Sequence, residues 1–213
     1  MEKQLSQPMK ILPAVMVIFG WFALVAQFYI NASLKLNPVP EMITRYFSYF
    51  TIQINLVVAL CYTVLLFSPG SGPGKFFSRQ QTVAALTVYI VIVGLIYNII
   101  LRSLWSPEGL QKIVDEILHS LVPVLVLICW LVFAAKNKLE WKQILTWLIY
   151  PFAYIIYILL RGSVSGFYPY PFINTTELGL NKVLVNSAGI AVVFALVSFI
   201  FVAIGKSLAK KTQ

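Results

Sequence analysis

The sequence predicts an all-helical membrane protein, a bundle of six transmembrane helices, and two observations carry this prediction. The chain has 213 residues, of which 60% are hydrophobic and only 11% are charged. Soluble globular chains carry roughly 45–50% apolar and about 25% charged residues. The second observation is a set of six long apolar stretches, each close to the roughly 20 residues that a helix needs to cross a bilayer. The composition excludes a soluble enzyme, a disordered chain and a fibrous rod.

The six predicted helices follow one another with mostly short connections. They cover residues 11–30, 46–67, 82–101, 113–135, 144–160 and 183–204. Turn-forming residues mark the connections, such as Pro38 and Pro40 in the first and the run over residues 68–74 in the second. The first helix is longer than the apolar part of a typical signal peptide, so we expect it to be retained. We expect a single domain over residues 1–213.

Basic residues predict which side of the membrane each connection faces. The N-terminus, the second and fourth connections and the C-terminus hold ten Lys and Arg residues, against six on the opposite side. Because basic residues concentrate in cytoplasmic loops, we expect both termini in the cytoplasm. We call the opposite side the outer side, and we expect the membrane to be the plasma membrane.

The net charge of +9 indicates contact with anionic lipid rather than with nucleic acid, because Lys and Arg occur singly or in pairs between apolar runs. Cys61 and Cys129 lie within apolar runs, and the chain has one histidine and no CxxC motif. We therefore expect no structural disulfide, no metal site and no cofactor. The oligomeric state stays open.

Polar side chains recur at a similar depth in the outer halves of five predicted helices. These residues are Thr51, Asn98, His119, Arg161 and Asn186. Polar groups in hydrocarbon are costly unless they face protein or a water-filled cavity. Their shared depth therefore predicts a pocket in the outer half of the bundle, where a substrate would bind.

Helical spacing adds neighbours to these residues. Ser48 and Asn55 share a stripe with Thr51, and Tyr157 shares one with Arg161. Each residue also has a simpler interpretation. A membrane Thr often bonds only its own helix, an Asn often joins two helices, an Arg at a helix end often anchors at the interface, and a Tyr stripe often forms an aromatic belt.

His119 is the strongest candidate for chemistry. It is the only histidine, it lies within a span, and Asp115 and Glu116 precede it by one helical turn. Its ring can take up a proton near neutral pH, and a nearby carboxylate can orient it, although a packing role is also open. The hydroxyls at matching depth are those of Thr51, Ser48 and Ser187, and a threonine needs such a base to act as a nucleophile.

Several distinctive stretches surround these residues. They are RYFSYFT at 45–51, YN at 97–98 with Arg102, residues 115–119 with Pro123, Tyr150-Pro151, and YPYPF at 168–172. At these positions the chain resembles the androgen-induced and androgen-dependent tissue-factor-pathway-inhibitor-regulating membrane proteins and their microbial relatives, with a closer likeness to the microbial branch. Gln53 and Asn55 depart from the animal pattern.

The resemblance implies a six-helix membrane hydrolase with an intramembrane Thr and His pair, which by position would be Thr51 and His119. The animal members cleave fatty acid esters of hydroxy fatty acids. We therefore expect a membrane lipid or fatty acid ester as substrate, with Asp115 or Glu116 orienting His119. Asn55, Asn98, Arg102 or Arg161 would stabilise the oxyanion, and the arginines would alternatively hold a substrate carboxylate.

Two other functions fit the same residues. A polar pocket with one titratable histidine and outer arginines suits a proton-coupled transporter of a small anion or lipid, although the inner halves hold few polar residues. A non-catalytic lipid-binding protein would need neither Thr51 nor His119 for chemistry.

Overall fold

A computed structural model describes the backbone of residues 7–210 and the side chains of residues 11–209, and it confirms the predicted fold class. The described residues form helices and no strand. Six helical segments are long and apolar enough to cross a membrane. They run over Ile11–Ser33, Phe50–Phe67, Gln80–Leu104, Gly109–Phe133, Gln143–Ser165 and Leu180–Ala209.

Ten α-helices build these segments and their connections. In chain order they are α1 Gln7–Ser33, α2 Val39–Ser48, α3 Phe50–Phe67, α4 Gly72–Phe77, α5 Gln80–Ile96, α6 Gly109–Glu116, α7 Val122–Phe133, α8 Gln143–Ser165, α9 Thr175–Leu178 and α10 Leu180–Lys210. The predicted helices all appear, and their ends differ by a few residues.

The second predicted helix is divided at Tyr49. The backbone of Tyr49 is extended, with φ −76° and ψ 124°, so α2 ends at Ser48 and the spanning helix α3 begins at Phe50. α2 is a short amphipathic helix that buries Met42 and Tyr46 and leaves the side chains of its Glu41–Arg45 ion pair about one-third exposed. Because of this break, Ser48 and Thr51 lie on different helices, and the stripe predicted through both is interrupted.

Two π-helical turns interrupt the third and fourth spans, over Tyr97–Leu101 and Ile117–Leu121. The second one has a cause in the sequence. Pro123 has no N–H group, so it leaves a carbonyl of the preceding turn without its backbone donor, and the carbonyls of Leu118 and His119 in that turn accept from asparagine side chains. The two turns also approach closely: Asn98 in the first donates to the His119 carbonyl in the second at 3.1 Å. A Cβ atom on Gly94, just before the first turn, would lie only 3.1 Å from the same carbonyl oxygen.

α8 is the least enclosed of the spanning helices. In its apolar window 17% of the residues are buried, against 56% for the span Gln80–Leu104. Aromatic rings fill part of the space beside it, where Phe50 contacts Tyr154 with ring centroids 5.0 Å apart and Tyr89 stacks on Tyr150 at 5.6 Å. α8 thus leaves a space between itself and the rest of the bundle.

The segment after α8 folds back over the outer end of the bundle. Gly166 ends α8 with a φ of +68°, a backbone conformation that glycine adopts without strain. Tyr168 then packs directly against Gly162, where a Cβ atom would lie 2.0 Å from a ring carbon of Tyr168. This packing positions Tyr170, two residues further on, against the start of α3.

Candidate active site in the outer half of the bundle

A cavity of about 610 Å³ lies between α8, α10 and the outer ends of α3 and α5. Its volume falls within the roughly 300–1,000 Å³ of typical ligand pockets. The residues that line it include no Asp, Glu, Lys, Arg or His. The hydroxyl-bearing members of the lining are Thr51, Tyr97, Tyr154, Tyr170 and Ser187. The cavity is therefore an apolar site with a small uncharged polar region.

Thr51 lies at the start of α3, with its side chain close to two tyrosines. Its backbone N–H donates to the Tyr170 hydroxyl at 3.2 Å, and its Oγ1 lies 3.4 Å from the same oxygen. The N–H of Phe50 donates to the Tyr154 hydroxyl at 3.3 Å. We call Thr51, Tyr154 and Tyr170 the hydroxyl cluster. It lies at the positive end of the α3 dipole, which favours negative charge.

His119 belongs to a second group, which we call the acid–imidazole cluster: Tyr97, Trp105, Asp115 and His119. His119 Nδ1 lies 2.9 Å from the Asp115 carbonyl oxygen and 3.6 Å from its carboxylate Oδ1. A carbonyl oxygen only accepts, so Nδ1 carries the hydrogen of the neutral ring and Nε2 is left as an acceptor. This is the tautomer that a general base needs.

Asp115 connects the acid–imidazole cluster. Its Oδ2 accepts a short hydrogen bond from the Tyr97 hydroxyl and another from Trp105 Nε1 at 3.1 Å. The Tyr97 ring stacks on the His119 ring, with centroids 3.9 Å apart and planes 14° apart. The side chains of Tyr97 and Asp115 thus hold the imidazole from two sides.

The structure brings the backbone segments of Thr51 and His119 together, but it does not join their side chains by a hydrogen bond. Asn55 Nδ2 donates to the Thr51 carbonyl at 2.9 Å and to the Leu118 carbonyl, next to His119, at 3.2 Å. Among the described residues, no hydrogen bond joins Thr51 Oγ1 to the His119 ring. Tyr97 lines the cavity, whereas His119, on which its ring stacks, is not among the lining residues.

Asn55 and Asn98 donate to two carbonyl groups of the π-helical turn that precedes Pro123. Asn98 Nδ2 donates to the carbonyls of Gly94 at 2.8 Å and His119 at 3.1 Å. Each asparagine therefore uses both of its N–H hydrogens on backbone oxygens. In this arrangement neither amide has an N–H free for an oxyanion, so the structure gives both residues the role of joining helices.

The outer arginines are engaged with carboxylates away from the cavity. Arg102 binds Glu116 at 2.7 Å, so of the two candidate acids only Asp115 contacts His119. Arg161 binds Glu41 at 3.0 Å. The pKa of the Glu41 carboxyl is lowered, first by its hydrogen bond from Arg45 and further by Arg161. None of these arginines lines the cavity.

Three other predicted site residues, Ser48, Tyr157 and Asn186, do not line the cavity. Ser48 Oγ donates to the Thr44 carbonyl at 2.6 Å, and Asn186 Nδ2 donates to the Phe172 carbonyl at 2.8 Å. The Tyr157 side chain is 43% exposed and does not line the cavity.

The sequence did not predict that Tyr170 would contact Thr51 or that Trp105 would donate a hydrogen bond to Asp115. Tyr170 lies in the YPYPF segment, whose aromatic and proline content was the available signal. No pattern in the sequence marks Trp105, which reaches Asp115 from the connection before α6.

Comparisons with known proteins give no match, whether to a family model, a curated protein or a solved structure. The family resemblance therefore stays a prediction that depends on the stretches quoted above.

Proposed function

We propose that the chain is an intramembrane hydrolase of lipid esters, with Thr51 as nucleophile and His119 as base. One observation carries this proposal: Thr51 lies in the wall of an uncharged cavity, at a helix N-terminus, in a protein with six helices able to span the membrane. Apolar walls suit an acyl chain, and the helix N-terminus suits the negative charge that develops on an ester carbonyl oxygen.

The reaction proceeds in two balanced steps. Thr51 Oγ1 attacks the ester carbonyl carbon while its proton passes to His119 Nε2, and the tetrahedral intermediate expels the alcohol, which takes up that proton. Water then attacks the acyl-threonine, giving up a proton to His119, and the fatty acid leaves as Thr51 recovers its hydrogen. Asp115 stabilises the charged imidazole between the transfers.

This mechanism places a requirement on Tyr97. Its ring stacks on that of His119, which does not line the cavity, and its hydroxyl is bound to Asp115. For the proton of Thr51 to reach Nε2, the Tyr97 ring must shift or a water molecule must connect the two groups. The same separation favours the second candidate, a lipid-binding protein that does no chemistry.

The alternative function of a proton-coupled transporter has less support. A cavity that holds an anion needs a cationic or otherwise strong donor, because an unpaired charge is costly in apolar surroundings. Each of Arg45, Arg102 and Arg161 already pairs with a carboxylate, and none lines the cavity.

We further propose that the substrate is a membrane lipid ester, that the membrane is the plasma membrane, and that the chain belongs to the androgen-induced family.

The test is ester hydrolysis by purified protein in nanodiscs. Thr51→Ala should abolish product release, and His119→Ala should lower the rate by about 10²–10⁴-fold, the usual contribution of a general base. Thr87→Ala is the matched control, because Thr87 is a buried membrane threonine that bonds only Val83 and does not line the cavity. Full activity of Thr51→Ala, or no hydrolysis of any lipid ester by the wild type, contradicts the proposal.

A further inference from the structure

The cavity is open sideways to the lipid along α8. Leu145, Ile149 and Phe152 all line it, and their side chains are 73%, 64% and 67% exposed. These residues lie within the span Gln143–Ser165, so the medium at their depth is hydrocarbon. A molecule can therefore enter this site from the bilayer without passing through water.

The site is long as well as open. Its lining on α8 extends from Leu145 to Leu159. That is about 21 Å at the usual rise of 1.5 Å per residue, more than the roughly 15 Å that half of a 30 Å hydrocarbon core provides for one leaflet. The length thus matches a single extended chain better than a compact ring system.

The polar groups of the site lie partway along the cavity rather than at one of its ends. Thr51, Tyr154 and Tyr170 lie between its ends, and toward the inner end α8 contributes Leu145, Leu148, Ile149 and Phe152. No charged group lines either part. An occupant that places one polar, uncharged group at the hydroxyl cluster and hydrocarbon below it matches the cluster and the inner part of the lining.

We propose that this groove binds one long, uncharged acyl chain, which enters sideways from the lipid with its carbonyl at the hydroxyl cluster and its far end at Leu145 and Leu148. Leu148, the less exposed of the two, then limits the length of chain that the protein accepts. The position of the carbonyl rests on the proposed function, whereas the position of the chain does not.

Photolabelling with non-cleavable analogues tests the proposal independently of hydrolysis. The probes are N-methylamides of saturated fatty acids of increasing length, each with a diazirine on its last carbon, and the protein is the full chain in nanodiscs. As the probe lengthens, the labelled residue should move along α8 from the neighbourhood of Tyr154 toward Leu145. A matched probe with a carboxylate head group in place of the N-methylamide should label these residues about tenfold less, because an unpaired charge is costly in an apolar site.

A blocking variant tests the length limit. Leu148→Trp should weaken binding of the long probes by about tenfold and leave the shortest unchanged, because the added ring occupies the inner end. Leu160→Trp is the matched control, since Leu160 is 65% exposed on the same helix and does not line the cavity. Leu148→Phe provides a smaller block if the tryptophan variant does not fold.

Two results would overturn the proposal. One is labelling spread evenly over the lipid-facing residues of all helices, and the other is an equal effect of Leu148→Trp on probes of every length. Because the probes are not cleaved, these results differ from the loss of hydrolysis that tests Thr51. If the groove binds the probes but the protein has no esterase activity, this inference is supported and the proposed reaction is contradicted.

Discussion

The hydroxyl cluster and the acid–imidazole cluster occupy the same outer half of the bundle and are built in contrasting ways. The hydroxyl cluster has no charged member and lines the cavity, and it contacts the start of α3 at 3.2–3.4 Å and the Ser48 carbonyl at 2.9 Å. The acid–imidazole cluster holds the buried Asp115 through the Tyr97 hydroxyl and the Trp105 N–H, and of its members only Tyr97 lines the cavity. The difference indicates that one cluster is arranged to receive a ligand and the other to hold its own side chains in place.

The largest expected effect comes from breaking the acid–imidazole cluster at its centre. Asp115→Ala leaves the buried Tyr97 hydroxyl and the Trp105 N–H without their acceptor, so the free energy of unfolding should fall by about 2 kcal/mol or more. Glu116→Ala, one residue further, should cost at most about 1 kcal/mol, because its Arg102 pair is exposed. Thermal unfolding in detergent measures both, and equal losses would contradict the contrast between the clusters.

A smaller effect is expected at the link between the two clusters. Asn55→Ala removes the donor to the buried Leu118 carbonyl, so we expect a loss of about 1–3 kcal/mol. Asn98→Ala makes a similar change at the His119 carbonyl, but the residue is exposed, and a typical membrane hydrogen bond contributes only about 0.6 kcal/mol. If Asn98→Ala proves the more damaging change, the assignment of Asn55 as the link is wrong.

The smallest effect concerns Glu41, which lies outside both clusters and joins α2 to α8 through Arg45 and Arg161. Its lowered pKa means that it stabilises the folded state above the ordinary carboxyl pKa, and that this contribution disappears as the pH falls through the lowered value. Glu41 is one-third exposed, so Glu41→Gln should cost less than about 1 kcal/mol at neutral pH and nothing in acid. Unfolding of both forms across this pH range checks it, with Glu177→Gln as control.

The sequence was sufficient for the bundle and insufficient for its irregular turns. Hydrophobic length alone predicts all six spans, because a bilayer requires each of them to be long and apolar. The break at Tyr49 and the π-helical turns around Asn98 and His119 were not predicted, since they depend on contacts between helices and on one missing N–H at Pro123.

The candidate site was predicted in part for the same reason. The depth of Thr51 and His119 was readable from their distance to the span ends, and their segments do lie side by side. Regular helical spacing could not predict that Tyr97 would stack on the His119 ring and that His119 would not line the cavity. It also placed Arg161 near the substrate, whereas the structure pairs this residue with Glu41 on another helix.

Gly162 makes the geometry around Thr51 sensitive to a change far from it in the chain. Its missing side chain leaves the place that the Tyr168 ring occupies, and Tyr168 and Tyr170 belong to one short segment held by two prolines. Even one methyl group at position 162 would displace that ring, and the phenol above the α3 terminus would be carried with it. The alignment of the Thr51 hydroxyl thus depends on a position in a neighbouring helix that has no side chain.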